Sequence, residues 1–132
     1  MKNKTGQSAI EFFILIGVVL FFFVIFLFAI ESQGADKARE RLNLAGKEIA
    51  LSVQDEIIFA SESSDGYIRE FDIPDKMDGG EDYNINLTEG FVYLKSTDGK
   101  YALALPVLNV TGNVNKGKNT IKKDNGIVYL NQ

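Results

Sequence analysis

The hydrophobic pattern of this chain changes period twice. Nineteen consecutive positions, Phe12 to Ile30, carry no charged or polar side chain. At about 1.5 Å rise per residue a helix of that length spans roughly 28 Å, close to the thickness of a bilayer core. Beyond it, Ala38, Leu42, Ala45, Ile49, Val53 and Ile57 recur at steps of three and four, the stripe of an amphipathic helix. Asp36, Lys37, Arg39, Glu40, Arg41, Lys47, Glu48, Asp55 and Glu56 lie between them and form a solvated, mixed-charge face. No proline falls between Gln7 and Phe59, so the pattern predicts one continuous helix of some fifty residues, roughly 80 Å long. Gly34 and Gly46 weaken it by about 1 kcal/mol each relative to alanine without forcing a break.

After Ser61 to Gly66 the period becomes two, which marks a boundary. Tyr67, Arg69, Phe71 and Ile73 alternate with Ile68, Glu70 and Asp72, predicting a strand that stops at Pro74. An acidic, glycine-containing loop follows from Asp75 to Asp82. Tyr83, Ile85 and Leu87 resume the alternation, and Phe91 to Lys95 is a further β-rich run. Asp98-Gly99 predicts a hairpin turn into Tyr101 to Leu105, and Asn125-Gly126 a last hairpin between Ile121 and Tyr129. Val107 to Val110 is a short strand, and Gly112 to Asn119 reads as a polar loop. The expected fold class is α+β: a long helix, transmembrane in its first half, packed on a small antiparallel sheet of five or six strands in a ladle-like arrangement.

Composition narrows the chemistry. There is no cysteine and no histidine among 132 residues, which removes disulfides, the usual zinc sites and any Ser-His-Asp or Cys-His nucleophile. Fourteen basic against eighteen acidic residues give a net charge of −4, opposite to the basic stripes that nucleic acid rewards, so no nucleic-acid partner is expected. No glycine pattern joins a strand to a helix as a phosphate loop requires, and no carboxylate pair stands out as an acid and base. The sequence predicts neither an enzyme nor a resident cofactor. Asp72, Asp75, Asp78, Glu81 and Asp82 crowd beside Gly79-Gly80. Their oxygens suit calcium but lack EF-hand spacing, so the cluster reads as a solvated loop and no metal site is assigned. Asn86-Leu87-Thr88 and Asn109-Val110-Thr111 are N-x-Thr sequons, which makes Asn86 and Asn109 candidate N-glycosylation acceptors.

The start of the chain carries the most specific signal. Lys2 and Lys4 precede Gly6, and Gln7-Ser8-Ala9-Ile10-Glu11 leads straight into the apolar run. A secretory signal peptide would put its small-residue cleavage site after the apolar stretch; here the glycine stands before it. An acid beside a membrane-length segment costs free energy, roughly 2.5–3.5 kcal/mol at a helix centre and less near the interface. A helix that needed only to anchor would have no use for it.

This arrangement resembles the class III signal peptide of type IV pilin-like proteins, and the glutamine after the glycine resembles the archaeal branch in particular. The resemblance covers about the first thirty residues. It implies that a prepilin peptidase cuts between Gly6 and Gln7, removing residues 1–6 and making Glu11 the fifth residue of the mature chain. Loss of Lys2 and Lys4 would take the side-chain charge to −6. The family's assembly chemistry implies that Glu11 then pairs with the Gln7 amine of a neighbouring pilin subunit. Thr5 stands where a basic residue is common. Many bacterial pilins carry a proline within the apolar run; its absence here predicts no melted stretch.

The resulting expectation is a structural subunit of an archaeal type IV pilus-like adhesion filament, major or minor. Its segments are residues 1–6 as leader, 7–33 as membrane and fibre-core helix, 34–60 as the amphipathic continuation and 61–132 as the β-sheet head. Its partners would be the prepilin peptidase, related pilin subunits, the pilus assembly platform and the membrane. It would be a single-pass membrane protein with the head outside before joining a surface filament. The residues alone also fit an uncleaved signal anchor in which Glu11 is an interfacial acid at a helix N-terminus. The corresponding alternative function is a membrane-tethered extracellular binding module that does not polymerise.

Overall fold

The computed structural model describes residues 4–132; Met1, Lys2 and Asn3, half of the expected leader, lie outside the described residues. One helix, α1, runs from Lys4 to Glu62, followed by seven strands: β1 (Ile68–Ile73), β2 (Tyr83–Thr88), β3 (Phe91–Ser96), β4 (Ala102–Pro106), β5 (Val110–Gly112), β6 (Gly117–Asp124) and β7 (Ile127–Leu130). The α+β class is as the periodicity implies, a long N-terminal helix followed by antiparallel-rich sheet. The chain divides into two compact units, residues 1–39 and residues 40–132.

In the second unit the strands form two sheets rather than one. Four strands lie in the order β1-β6-β7-β5 and three in the order β2-β3-β4. All pairings are antiparallel except β5 with β7, which run parallel from Val110 opposite Val128 to Gly112 opposite Leu130. Of the short strand expected over Val107 to Val110 only Val110 is in β5, and the stretch expected as a loop, Gly112 to Asn119, gives Gly112 to β5 and its last three residues to β6. Gly112 takes a φ of 112° that a side chain resists. A Cβ on Gly112 would come within 1.9 Å of the Leu130 carbonyl oxygen, so glycine is what lets the two strands close.

The part of α1 within this unit buries the expected face. Ala45, Ile49, Val53 and Ile57, with Ala50 and Ala60, join Ile73, Tyr83, Val92, Leu94, Ile121, Val128 and Leu130 in one core drawn from both sheets. Each fully buried aliphatic side chain contributes about 1.5–3 kcal/mol, far more than the helix loses at Gly46. That glycine has its own reason: a Cβ there would sit 2.2 Å from Cε1 of Tyr101, whose ring occupies the space. Helix and strand connection thus approach more closely than any larger residue allows.

Polar groups fix the end of the helix. Lys123 on β6 donates from Nζ to the carbonyls of Ser61 and Ser63, 2.7 Å each. A cation is favoured there because the last carbonyls of a helix are unpaired and carry its negative dipole end. The backbone of Lys123 also accepts from Gly66 N (2.8 Å) and donates to the Tyr67 carbonyl (2.9 Å), so one residue ties the helix exit to the start of β1.

Both sequence-marked hairpins are present. Asn125 and Gly126 take φ of 50° and 77° between β6 and β7, the left-handed pair that a two-residue turn needs. At Asp98-Gly99 the Asp98 carboxylate accepts from Lys100 N (3.0 Å) and Ser96 Oγ (2.7 Å), which holds its pKa down at about 2. A carboxyl whose folded pKa is depressed stabilises above its unfolded value and loses that contribution as pH falls through the folded one. The deficit in thermal stability of Asp98→Ala relative to the natural chain should therefore be full at neutral pH and shrink between about pH 4 and pH 2. Parallel melting curves across that range check it, and a deficit constant to pH 2 would reject the assignment.

Candidate membrane and assembly segment

Within residues 4–39 the geometry is that of a bare helix. Every residue from Gly6 to Glu31 is exposed, including all seven phenylalanines of the apolar run (Phe12, Phe13, Phe21, Phe22, Phe23, Phe26 and Phe28). At 100° per residue these rings project around the whole circumference rather than along one stripe. A helix apolar on every side belongs in a lipid or protein interior. By length and composition α1 is able to cross a membrane. Neighbouring rings meet edge to face, Phe12 with Phe13 at 6.4 Å and Phe21 with Phe22 at 6.1 Å between centroids. The helix passes without a kink residue through the whole run, in keeping with its lack of proline.

Gly6, Gln7 and Glu11 all lie in the first turns of α1. Gln7 Nε2 donates to Glu11 Oε1 at 3.4 Å, which places the two side chains on one face, one turn apart. Glu11 is otherwise solvent-exposed. The Gly6-Gln7 bond is in helical conformation, with open space where a Gly6 side chain would be.

In the second unit the structure places Asn86 and Asn109 at the surface, as the sequon readings assumed, but in different settings. Asn86 sits within β2, opposite Tyr93, whereas Asn109 lies in the connection between β4 and β5. A shallow cavity of about 70 Å³ is lined by residues next to both, among them Leu87, Thr88, Gly90, Val107, Leu108 and Val110. It has room for roughly two waters.

The acidic loop is tied to the sheet rather than gathered around a centre. Met77 is buried in its middle, and Asp82 pairs with Lys116. That pair, with the Tyr83 amide donating to the carboxylate, holds the Asp82 pKa below its usual range. Lys116 also lies 4.7 Å from the centroid of the Tyr83 ring. The Tyr83 hydroxyl donates to the Pro74 carbonyl, and burial pushes its pKa up to about 12. Among the described residues no three acidic side chains converge to hold a metal ion.

Sequence reasoning missed one cluster. Asn119 is 1% exposed and uses all four of its hydrogen-bonding positions. Its Nδ2 donates to the carbonyls of Asn115 (2.7 Å) and Gly117 (2.9 Å). Its Oδ1 accepts from Asn115 N (2.8 Å) and Asn131 Nδ2 (2.7 Å). Asn113 continues the network by accepting from Leu87 N at 2.7 Å, which links it to the three-stranded sheet. The only sequence signal was the density of asparagines after position 108.

No protein-family model, curated protein or solved structure matches this chain.

Proposed function

We propose that this chain is a type IV pilin-like structural subunit of a surface filament, assembled through α1 and serving adhesion. The observation that carries it is Glu11, an exposed acid at the mouth of a helix segment that is apolar around its whole circumference. The prepilin peptidase cuts after Gly6 and frees the Gln7 amine. That amine and the Glu11 carboxylate of a neighbouring subunit pair as the subunit leaves the membrane. Two opposite charges in a low-dielectric setting gain by meeting, since either alone is penalised. The apolar run passes from lipid into the fibre core, where its phenylalanines supply large contact areas. The β-sheet unit faces outward, and Asn109, in an exposed connection, is the better placed of the two glycan acceptors. Before assembly the subunit is a single-pass membrane protein, handled by the pilus assembly platform.

The test is the N-terminus and intact mass of the protein from its own cells. The expected chain starts at Gln7, and Gly6→Val abolishes that product, leaving the full-length mass. A natural protein retaining Met1 to Gly6, or a Gly6→Val variant with the mature mass, would sink the processing claim.

A further inference from the structure

The two sheets turn different outer faces to solvent. On β1 and β6 the exposed positions include Glu70, Asp72 and Lys118, an ordinary charged surface. The three-stranded sheet alternates as strictly, yet Lys95 is the only charged residue at the outer positions of its strands. On its middle strand Phe91 and Tyr93 are 47% and 40% exposed. The register sets Asn86 of β2 and Ala104 of β4 on either side of Tyr93, and Thr88 and Pro106 on either side of Phe91. Residues opposed in this way have Cβ atoms about 4.5–5.5 Å apart. Asn86 and Thr88 are the first and third residues of a sequon. Each therefore stands directly beside an exposed ring, on the same face of the sheet.

We infer that Asn86 carries an N-linked oligosaccharide whose first sugars lie over Tyr93 and Phe91 and cover this face. In the transfer, Nδ2 of Asn86 forms a bond to the anomeric carbon of an oligosaccharide delivered on a lipid phosphate carrier. The bond from that carbon to the carrier's phosphate oxygen breaks. The phosphate leaves with the electron pair and the amide gives up one proton, so neither oxidant nor reductant is needed. A pyranose ring exposes a face of C–H groups with slight positive charge, which suits the negative face of an aromatic ring. Such stacking is weak for a free sugar. Attachment at Asn86 makes it intramolecular, at an effective concentration in the millimolar range, and so the chain's own glycan is the occupant rather than a foreign one. β2 lies at the edge of its sheet, which leaves room for the sugar beside it. Asn109 is easier to reach but has no ring opposite it, since its connection pairs with no strand. Sugar there adds mass without packing. Transfer requires the β-sheet unit to face outward, and to that extent the inference rests on the proposed location.

The test uses the full-length chain purified in detergent from its own cells. Peptide mass spectrometry should find an oligosaccharide on Asn86 that Asn86→Gln and Thr88→Ala each remove. The natural chain should melt about 4 °C or more above Asn86→Gln. With Phe91→Ser and Tyr93→Ser both introduced, occupancy of Asn86 should be unchanged while that difference falls below about 1 °C. Tyr93→Ser alone should already halve it. Asn109→Gln should move the melting temperature by less than about 1 °C, whether or not Asn109 is modified. A glycan on Asn86 whose stabilisation survives loss of both rings would overturn the inference. So would a bare Asn86 in chain recovered from sheared filaments, an outcome that leaves the filament reading standing. A ring-dependent glycan on a chain that never enters filaments would uphold the covered face and defeat the filament.

Discussion

Glu11→Ala should insert into the membrane and be processed as well as the natural chain, yet enter filaments at least tenfold less. The substitution removes a group that an apolar environment penalises, by up to about 3 kcal/mol at a helix centre, so insertion does not suffer. It leaves residues 40–132 untouched, because the carboxylate touches only the Gln7 amide one turn away within the described helix. Under the proposed function what would disappear is the intermolecular pairing, and a tenfold loss corresponds to about 1.4 kcal/mol, a modest demand on a charge pair out of water. Glu11→Gln separates charge from shape: the amide keeps the length and should assemble as poorly as alanine. Quantifying the chain in sheared filaments against the membrane fraction decides the matter. Natural incorporation of either variant would mean that Glu11 is merely an interfacial acid.

The second large effect lies in the β-sheet unit. Asn119→Ala should lower its stability by about 2–4 kcal/mol, since buried polar partners are left without hydrogen bonds. The Asn115 amide and carbonyl, the Gly117 carbonyl and the Asn131 side chain each lose a partner at once, Asn131 keeping its bonds to Asn113 and Thr120. For a unit of this size that corresponds to a fall of roughly 10–20 °C in melting temperature, readable in the near-ultraviolet dichroism of the tyrosines. Asn119→Asp should be at least as damaging, because it keeps the shape but loses both donors. A fall below about 5 °C for alanine would mean that water replaces the amide.

These two residues also mark what was legible in the sequence. Glu11 was visible because a charge before an unbroken apolar run contradicts its surroundings. The core stripe from Leu42 to Ile57, though not its expected first member Ala38, which is exposed, and the turns at Asp98-Gly99 and Asn125-Gly126 were visible because local periodicity and turn chemistry dictate them. Asn119 was hidden: a buried asparagine has the sequence appearance of a loop residue, and only its partners distinguish the two. The split into two sheets was hidden likewise, since it depends on pairing β5 with β7 in parallel across a hairpin. The turn between β2 and β3 at Glu89-Gly90 escaped notice because glutamate seldom adopts the positive φ of 47° that it holds there. Nothing in the local residues accounts for its choice over asparagine.

The pairing of β1 with β6 has a consequence for the order of events during synthesis. Ile68 finds Lys122 only after more than fifty further residues have been made. Contacts so distant in sequence form late, because the intervening chain must first surrender its freedom. A nascent chain that emerges with α1 first therefore presents its apolar segment, able by length and composition to enter a membrane, while the sheets are still incomplete. In the proposed membrane-anchored subunit, anchoring precedes closure of the core, and the face of α1 from Leu42 to Ala60 waits uncovered in the interval. Such a chain is most vulnerable to aggregation and proteolysis between those two moments. A delay imposed downstream of Ile73 should increase loss of the chain more than the same delay imposed after Leu130.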